Sequence, residues 1–298
     1  MGKDGPGGGE GFVSICTACG TSYPPAAAPP PLCPICEDAR QYVPDGGQGW
    51  TTPDRLAAGH ANRWSRPEPD LFAIETAPAF GIGQRAFLVR TPAGNVLWDC
   101  LALLDAATRE IVEALGGLAA IAISHPHYYT TMQDWADAFG APVLLHEDDR
   151  EWVMRPSPRV RFWSGEEREL APGCTLTRLG GHFAGGTALR WAAGCGGRGA
   201  LLSSDIVQVA ADRGRVSFMW SYPNMLPLPA ETVGAIAEKL SRVPFERIYG
   251  AFDGRTVREG GGRVVRDSAR LYRALLRGDG RPDPGPGGTA PPQGDLSR

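Results

Sequence analysis

No apolar run in the 298-residue chain approaches the roughly 18 residues of a membrane-spanning helix, so none is expected. The opening residues, Met1-Gly-Lys-Asp-Gly-Pro-Gly-Gly-Gly, hold no apolar core of the kind a secretory signal requires. A basic stripe is also absent. With a net charge of −3 and a pI near 6.0, a nucleic-acid surface is not expected either. Internal repeats of high fidelity are missing too. These absences leave a cytoplasmic protein as the expectation. Hydrophobic residues at 42% and aromatics at 8% suffice for a substantial core.

Histidine is scarce. There are five: His60, His125, His127, His146 and His182. Two of them stand one residue apart in His125-Pro-His127-Tyr-Tyr-Thr, after an apolar run that ends at Ser124. On a turn leaving a buried strand, alternate imidazoles can converge in one cleft, and neutral imidazole is a good ligand for zinc and iron. His182 lies in Gly180-Gly-His-Phe-Ala-Gly-Gly186, where flanking glycines allow close approach to a cleft. Asp205 ends the apolar run Ala200-Leu-Leu-Ser-Ser, which puts a carboxylate at another strand end. His146, in Leu-His-Glu-Asp-Asp, reads as a structural polar residue at a strand-to-helix turn, and His60 as an exposed one.

Seven cysteines are not spaced as a disulfide framework. Four form two Cys-x-x-Cys pairs, Cys16/Cys19 and Cys33/Cys36. Such paired knuckles offer four thiolates at tetrahedral reach, the usual structural zinc set. The pattern looks like a zinc ribbon. It is also similar to rubredoxin, which holds redox iron, but rubredoxin's pairs stand further apart. So short a segment with few apolar residues is expected to fold only with its metal. Cys100, Cys174 and Cys195 lie in apolar or Gly-rich sequence and read as small buried hydrophobes.

The organisation expected from these signals is a disordered 1–11, a four-cysteine unit over 12–44, a linker over 45–70, a main domain over 71–277 and a disordered tail over 278–298. Within the main domain, strands are expected at 71–76, 85–90, 95–99, 119–124, 142–146, 160–163, 174–179, 187–191, 200–203, 216–220 and 247–250. Helices are expected at 106–115, 131–139, 147–154, 230–240 and 264–276. Asp105 would cap the first of these and Gly116-Gly117 end it. Strand runs with helices in both halves suggest an α/β sandwich: two packed mixed sheets with helices outside, αββα. Loops 155–172 and 218–229 would shape the pocket.

Over roughly residues 71–275, the order of these signals resembles the metallo-β-lactamase-fold hydrolases. Opening strands end in an acidic residue, Asp99. A helix and a strand lead to His125-Pro-His127, then come the Gly-His loop at His182 and the strand-end Asp205. The family motif is His-x-His-x-Asp-His, and its last two positions are Tyr129 and Thr130 here. The family's final Gly-His falls at Gly250-Ala251-Phe252, with no histidine. The resemblance therefore implies one metal, held by His125, His127 and His182, with Asp205 completing or assisting the site. The second metal's ligands are missing. Tyr129, at the position of the Asp that usually orients the attacking water, could hydrogen-bond substrate or water. Tyr128, Trp220 and Tyr222 could wall the pocket.

Three functions remain open. The first is a metal-dependent hydrolase, with a mononuclear three-histidine site activating water against an ester, thioester or lactone-type bond of a small molecule. The second is a non-catalytic binding or scaffold protein of degenerate site, with the four-cysteine unit contacting a protein partner. The third is an iron-dependent oxidoreductase, for which carboxylate-rich di-iron ligands are lacking. Zinc is expected at both sites, although three histidines and a carboxylate also accept iron or manganese.

Overall fold

The computed structural model describes residues 11–279. The disorder expected for 1–11 and 278–298 therefore falls, Gly11, Gly278 and Asp279 apart, outside the described residues. The chain opens with a small three-stranded sheet, order β2-β1-β3. It comprises β1 (Phe12–Cys16), β2 (Ser22–Ala26) and β3 (Trp50–Thr51), with a short helix α1 (Pro34–Glu37) that carries the second cysteine pair. Pro24 and Pro25 lie in β2, which is tolerated because β2 is an edge and proline has no N–H to give a second neighbour.

The expected linker over 45–70 is instead structured. After β3 come α2 (Pro53–Gly59) and the eight-residue β4 (Ala61–Glu68). β4 pairs antiparallel with β5 (Leu71–Ala77) and forms the edge of a seven-stranded sheet, order β10-β9-β8-β7-β6-β5-β4. Its composition hid it. An edge strand carries charge and even Pro67, and little of β4 is buried except Glu68. The sheet continues through β6 (Arg85–Val89) and β7 (Val96–Trp98), antiparallel. It then runs parallel through β8 (Ala120–Ala122), β9 (Val143–His146) and β10 (Val160–Trp163). The crossovers carry α3 (Ala106–Ala114) and α4 (Met132–Phe139). Asp105 caps α3, accepting from the Thr108 amide at 2.7 Å. Residues 147–154, expected as a short helix, form a 3-10 helix over Glu147–Trp152.

A second, six-stranded sheet has the order β11-β12-β13-β14-β19-β20. It begins with β11 (Glu167–Ala171), β12 (Cys174–Arg178), β13 (Thr187–Trp191) and β14 (Ala200–Ser204), a meander interrupted by the tight turn α5 (Gly194–Gly197). The strand expected at 216–220 splits between two small ladders outside this sheet. β15 (Gln208–Val209) pairs with β16 (Val216–Ser217), and β17 (Met219–Ser221) with β18 (Leu226–Pro227). After α6 (Ala230–Ser241), β19 (Arg247–Gly250) joins β14 in parallel, β20 (Thr256–Val257) closes the edge, and α7 (Gly261–Arg277) follows. The span 155–172 is thus not one loop, since it holds β10 and β11.

The core confirms the αββα sandwich. Leu71, Phe87, Trp98 and Leu144 of the first sheet meet Leu176, Leu189, Leu202 and Tyr249 of the second. The first sheet's outer face, with Leu88, Leu97 and Val143, is covered by Val112 of α3 and Trp135 of α4. The second sheet's outer face, with Leu201 and Ile248, is covered by Ile236 and Leu240 of α6 and Val265 of α7. Strands buried on both faces read as continuous apolar runs, and β6 is buried at every position. No helix among the described residues is long and apolar enough to cross a membrane.

Candidate metal centre

β7 and β8 are parallel neighbours, so both end on the same side of the first sheet. Asp99 leaves β7 with φ of 61°, a left-handed conformation that a short acidic side chain tolerates better than most. Its Oδ1 accepts from the Ser124 amide at 2.8 Å, and its Oδ2 accepts from the Ser204 hydroxyl at the end of β14. The Thr187 amide of β13 donates to the Ser124 carbonyl at 2.9 Å. Three strands of two sheets are thereby bolted to the residue before His125. Burial holds the Asp99 carboxyl up at about 6.

His125 is extended, and the chain then turns as a 3-10 segment over Pro126–Tyr128. This turn brings the rings of His125 and His127 to a centroid distance of 5.1 Å. His182 arrives from the loop after β12, where Gly180 and Gly181 have φ of 71° and 84°. The positive φ favours glycine at 181, and a Cβ there would lie 2.8 Å from the Leu228 side chain, which would have to shift. The His182 ring stands 5.0 Å from both other rings. One nitrogen from each histidine falls within 4.8 Å of the others.

The proton positions suit ligation. His182 Nδ1 faces the Trp220 carbonyl at 2.8 Å and so carries its proton there, leaving Nε2 as a lone pair. That Nε2 lies 3.2 Å from His127 Nδ1. Two nitrogens on a tetrahedral zinc stand about 3.4 Å apart, so the spacing matches a shared cation. His125 Nδ1 bonds the Ser124 hydroxyl at 2.8 Å, and its Nε2 is buried without a partner. Burial pushes His125 and His127 well below the usual imidazole range and His182 to about 4. All three are then neutral at neutral pH, the form that binds a metal. The residues present fit a single cation.

Asp205 follows β14 but stands outside the group whose ligand atoms lie within 4.8 Å of one another. Its Oδ2 accepts from the Tyr128 hydroxyl at 2.6 Å, and its Oδ1 is buried without a partner. Burial raises its carboxyl to about 7. The Tyr222 hydroxyl donates to the Asp205 carbonyl at 2.9 Å, and its ring lies 5.7 Å from that of His182. Tyr129, expected in the site, packs instead in the core between the first sheet and its helices, and it has no hydrogen bond to the triad or to Asp205 among the described residues. Successive residues of a 3-10 turn diverge by about 120°, so Tyr128 and Tyr129 cannot both face the cleft. Tyr128 does so, with its ring 4.4 Å from His125. His60 is half-buried, its Nδ1 3.1 Å from the Leu56 carbonyl and its ring 5.6 Å from that of Phe80, rather than exposed. His146 is buried and structural, bonding the Gly165 carbonyl at 3.0 Å.

The four N-terminal cysteines converge. Cys16 and Cys36 Sγ are 3.6 Å apart, as are those of Cys19 and Cys33. Four thiolates on a tetrahedral zinc stand about 3.8 Å from each other, whereas a disulfide needs about 2.05 Å. Hydrogen bonds from Cys19, Cys33 and Cys36 hold Cys16 far below the ordinary thiol range, while Cys19 is pushed above it by sharing with Cys16. Gln48 and Tyr23 also donate to the cluster, at 3.1 Å to Cys16 and 3.0 Å to Cys33.

This four-cysteine unit docks on both histidine loops. The Ser22 amide and hydroxyl donate to the Thr130 carbonyl at 3.0 and 2.9 Å, three residues beyond His127. Arg40 donates to the His182 carbonyl at 3.3 Å and lies 3.8 Å over the Phe183 ring. Phe183 in turn sits 4.9 Å from His127. Ser221 and Asn224 fasten the strap from the other side through the carbonyls of Arg40 and Ala39, at 3.1 and 2.9 Å. Neither Arg40 nor Phe183 stood out in the sequence. Their only signals were an arginine just past the last cysteine and an aromatic inside the glycine-flanked loop.

Comparison with solved structures places the fold among the metallo-β-lactamases. DIM-1 metallo-β-lactamase aligns with a TM-score of 0.55 at 13% identity, covering 72% of this chain and 98% of that one. VMB-1 aligns with a TM-score of 0.55 at 11% identity, covering 72% and 97%. At such identities the likeness is one of fold. By sequence, the chain is 48% identical over 267 residues to the uncharacterized protein YmaE of Bacillus subtilis (strain 168), covering 89% of this chain and 97% of YmaE. The chain belongs to the YmaE family. No protein-family model matches it.

Proposed function

We propose that the protein is a metal-dependent hydrolase with a single-metal centre held by His125, His127 and His182, acting on an ester, thioester or lactone-type bond of a small molecule. The observation that carries this reading is the convergence of three neutral imidazoles, with His127 Nδ1 and His182 Nε2 3.2 Å apart. Zinc fits the donor set, and a zinc held there would supply Lewis-acid activation of water and of the scissile carbonyl. The chain's own residues divide the remaining work. The Trp220 carbonyl and Ser124 hydroxyl fix two ring orientations. Asp205, held by Tyr128 through one oxygen, keeps Oδ1 free to accept a proton from water or to join the metal shell. Zinc at the four cysteines is structural, and seven free cysteines suit a reducing cytoplasm.

One observation favours a second reading, a binding protein without turnover. The triad is closed to solvent, with His125, His127 and His182 only 1–2% exposed beneath the four-cysteine strap. One experiment tests both. Elemental analysis of the wild type is expected to give about two zinc per chain, and His127→Ala about one, with the far-UV spectrum unchanged. A panel of aryl esters, thioesters and lactones should be turned over by the wild type and not by the variant. Equal metal content in the two proteins would sink the three-histidine centre. Two metals without turnover would sink the hydrolase and leave the binding protein.

A further inference from the structure

A basic cleft lies where the start of β6 meets β19 and β20, and its lining includes none of the histidine-site residues. Its volume is about 350 Å³, and it is lined by Pro67, Arg85, Arg247, Tyr249, Thr256 and Arg258, with no acidic residue among them. Arg85 is its most buried cation. It is 5% exposed, and no carboxylate among the described residues forms an ion pair with it. Its Nε donates to the Gly250 carbonyl at 2.9 Å, and its Nη2 to the Arg255 carbonyl at 3.1 Å and the Thr256 hydroxyl at 3.3 Å. Those bonds satisfy protons, and the guanidinium stands 4.7 Å over the Phe87 ring, but no carboxylate bonds to it directly. Nη1 has no partner among the described residues. Burial draws this guanidinium down to about 10, against the opposing pull of the Glu75 and Asp253 carboxylates.

The carboxylates near the cleft are engaged elsewhere. Glu75 and Asp253 both pair with Arg63. Glu68 accepts from Arg247 at 2.9 Å, the Tyr249 hydroxyl at 2.6 Å and the Cys195 amide at 2.7 Å, so both its oxygens are already bonded. With Arg63 counted, four arginines against the three carboxylates Glu68, Glu75 and Asp253 leave one positive charge, and neither Arg85 nor Arg258 has an ion pair of its own among the described residues. Arg247 is oriented by its bond to the Arg258 carbonyl at 3.2 Å, and the exposed Arg258 side chain has no ion pair among the described residues. A buried cation kept in place without a counter-ion is costly unless an anion completes it. Arginine forks and a hydroxyl suit the tetrahedral oxygens of phosphate.

We propose that the cleft between β6 and the β19–β20 edge is a binding site for a phosphate group, free or esterified on a small molecule, with Arg85 as its buried anchor and Arg247 and Arg258 as its rim. This site is independent of the reading of the histidine centre. The test is calorimetric titration of the as-isolated protein with inorganic phosphate and with glycerol 3-phosphate, each at ionic strength matched with sodium chloride. Saturable binding of one equivalent is expected. Arg258→Glu, at an exposed side chain without an ion pair, should weaken it about tenfold or more. Arg85→Met should abolish it, and His127→Ala should leave it unchanged. Tighter binding of glycerol 3-phosphate would assign an esterified ligand and tighter binding of phosphate the free ion, both in support. No saturable binding by the wild type, equal binding by Arg258→Glu, or loss in His127→Ala with retention in Arg258→Glu would each overturn the proposal.

Discussion

Replacing Arg40 by alanine is expected to loosen the His182 loop while leaving the four-cysteine unit intact. The guanidinium lies 3.8 Å over Phe183 and 5.1 Å from the centre of the Trp152 ring, with its side chain only 14% exposed. A cation–π contact so shielded is worth about 2 kcal/mol. Its bond to the His182 carbonyl, from a charged donor, adds about 1.5 kcal/mol. Losing both, about 3 kcal/mol after some relaxation, would raise the frequency of local opening about 10²-fold. The amides to follow are those that close the loop on itself: Leu179 and Gly180, both donating to the Gly186 carbonyl at 2.8 and 2.9 Å. Native-state hydrogen exchange should show their protection falling by that factor while the amides of β1 hold theirs. Release of metal from the proposed histidine centre to a chelator should accelerate in parallel. Unchanged protection at Leu179 and Gly180 would refute the coupling. A uniform loss across the whole chain would show that Arg40 serves only global stability.

Two further outcomes follow from the same loop. Asp149 accepts from the Gly185 amide at 2.8 Å, and burial raises its carboxyl from 3.8 to about 6. The folded state therefore binds this proton more tightly than the unfolded one. Stability from this group is present below about pH 4 and is lost as pH rises to about 6, by roughly 3 kcal/mol. Asp149→Asn keeps the acceptor and removes the titration, so in urea melts its advantage over the wild type should grow across that window; a constant difference would contradict the assignment. Gly185→Ala places a Cβ 2.8 Å from both Asp149 Oδ2 and His146 Cβ. It should cost about 1–3 kcal/mol in denaturant melts, with reduced metal at the histidine centre, and full stability with full metal content would show that the loop yields freely.

The buried parts of the fold were legible from sequence. Strands covered on both faces, such as β6 and β14, announce themselves as apolar runs, and α3 is bracketed by Asp105 and Gly116-Gly117. The edges were not. β4 and β11 each bury a single residue, Glu68 and Ala171, and so carry no apolar run, which is why β4 read as linker and β11 as loop. The three histidines were found because two sit on one turn and the third among glycines. The contribution of Arg40, Phe183 and Ser22 was hidden because contacts over 108 or more residues leave no local pattern. Choosing between Tyr128 and Tyr129 required the actual pitch of the turn. The sequence names the pair but does not say which ring faces in.

The positions that depart from the metallo-β-lactamase-fold motif share a physical character. Tyr129 fills the helix-side core, and Ala251 is buried in the same core while its carbonyl accepts from the Arg85 amide at 2.7 Å. Thr130 holds a φ of 40°, and its carbonyl takes two bonds from Ser22 of the four-cysteine unit. None of these side chains is a carboxylate or an imidazole, and each position is committed to packing or to docking. The loop that follows His127 is thus fixed by protein contacts from the N-terminal unit. A second cation at this face would need three new ligands, and also the removal of the ribbon's hold on Thr130. Point substitutions that restore Asp and His at 129 and 130 are accordingly expected to leave the metal count unchanged, because the Thr130 backbone remains tied to Ser22 and Ala251 still offers no ligand.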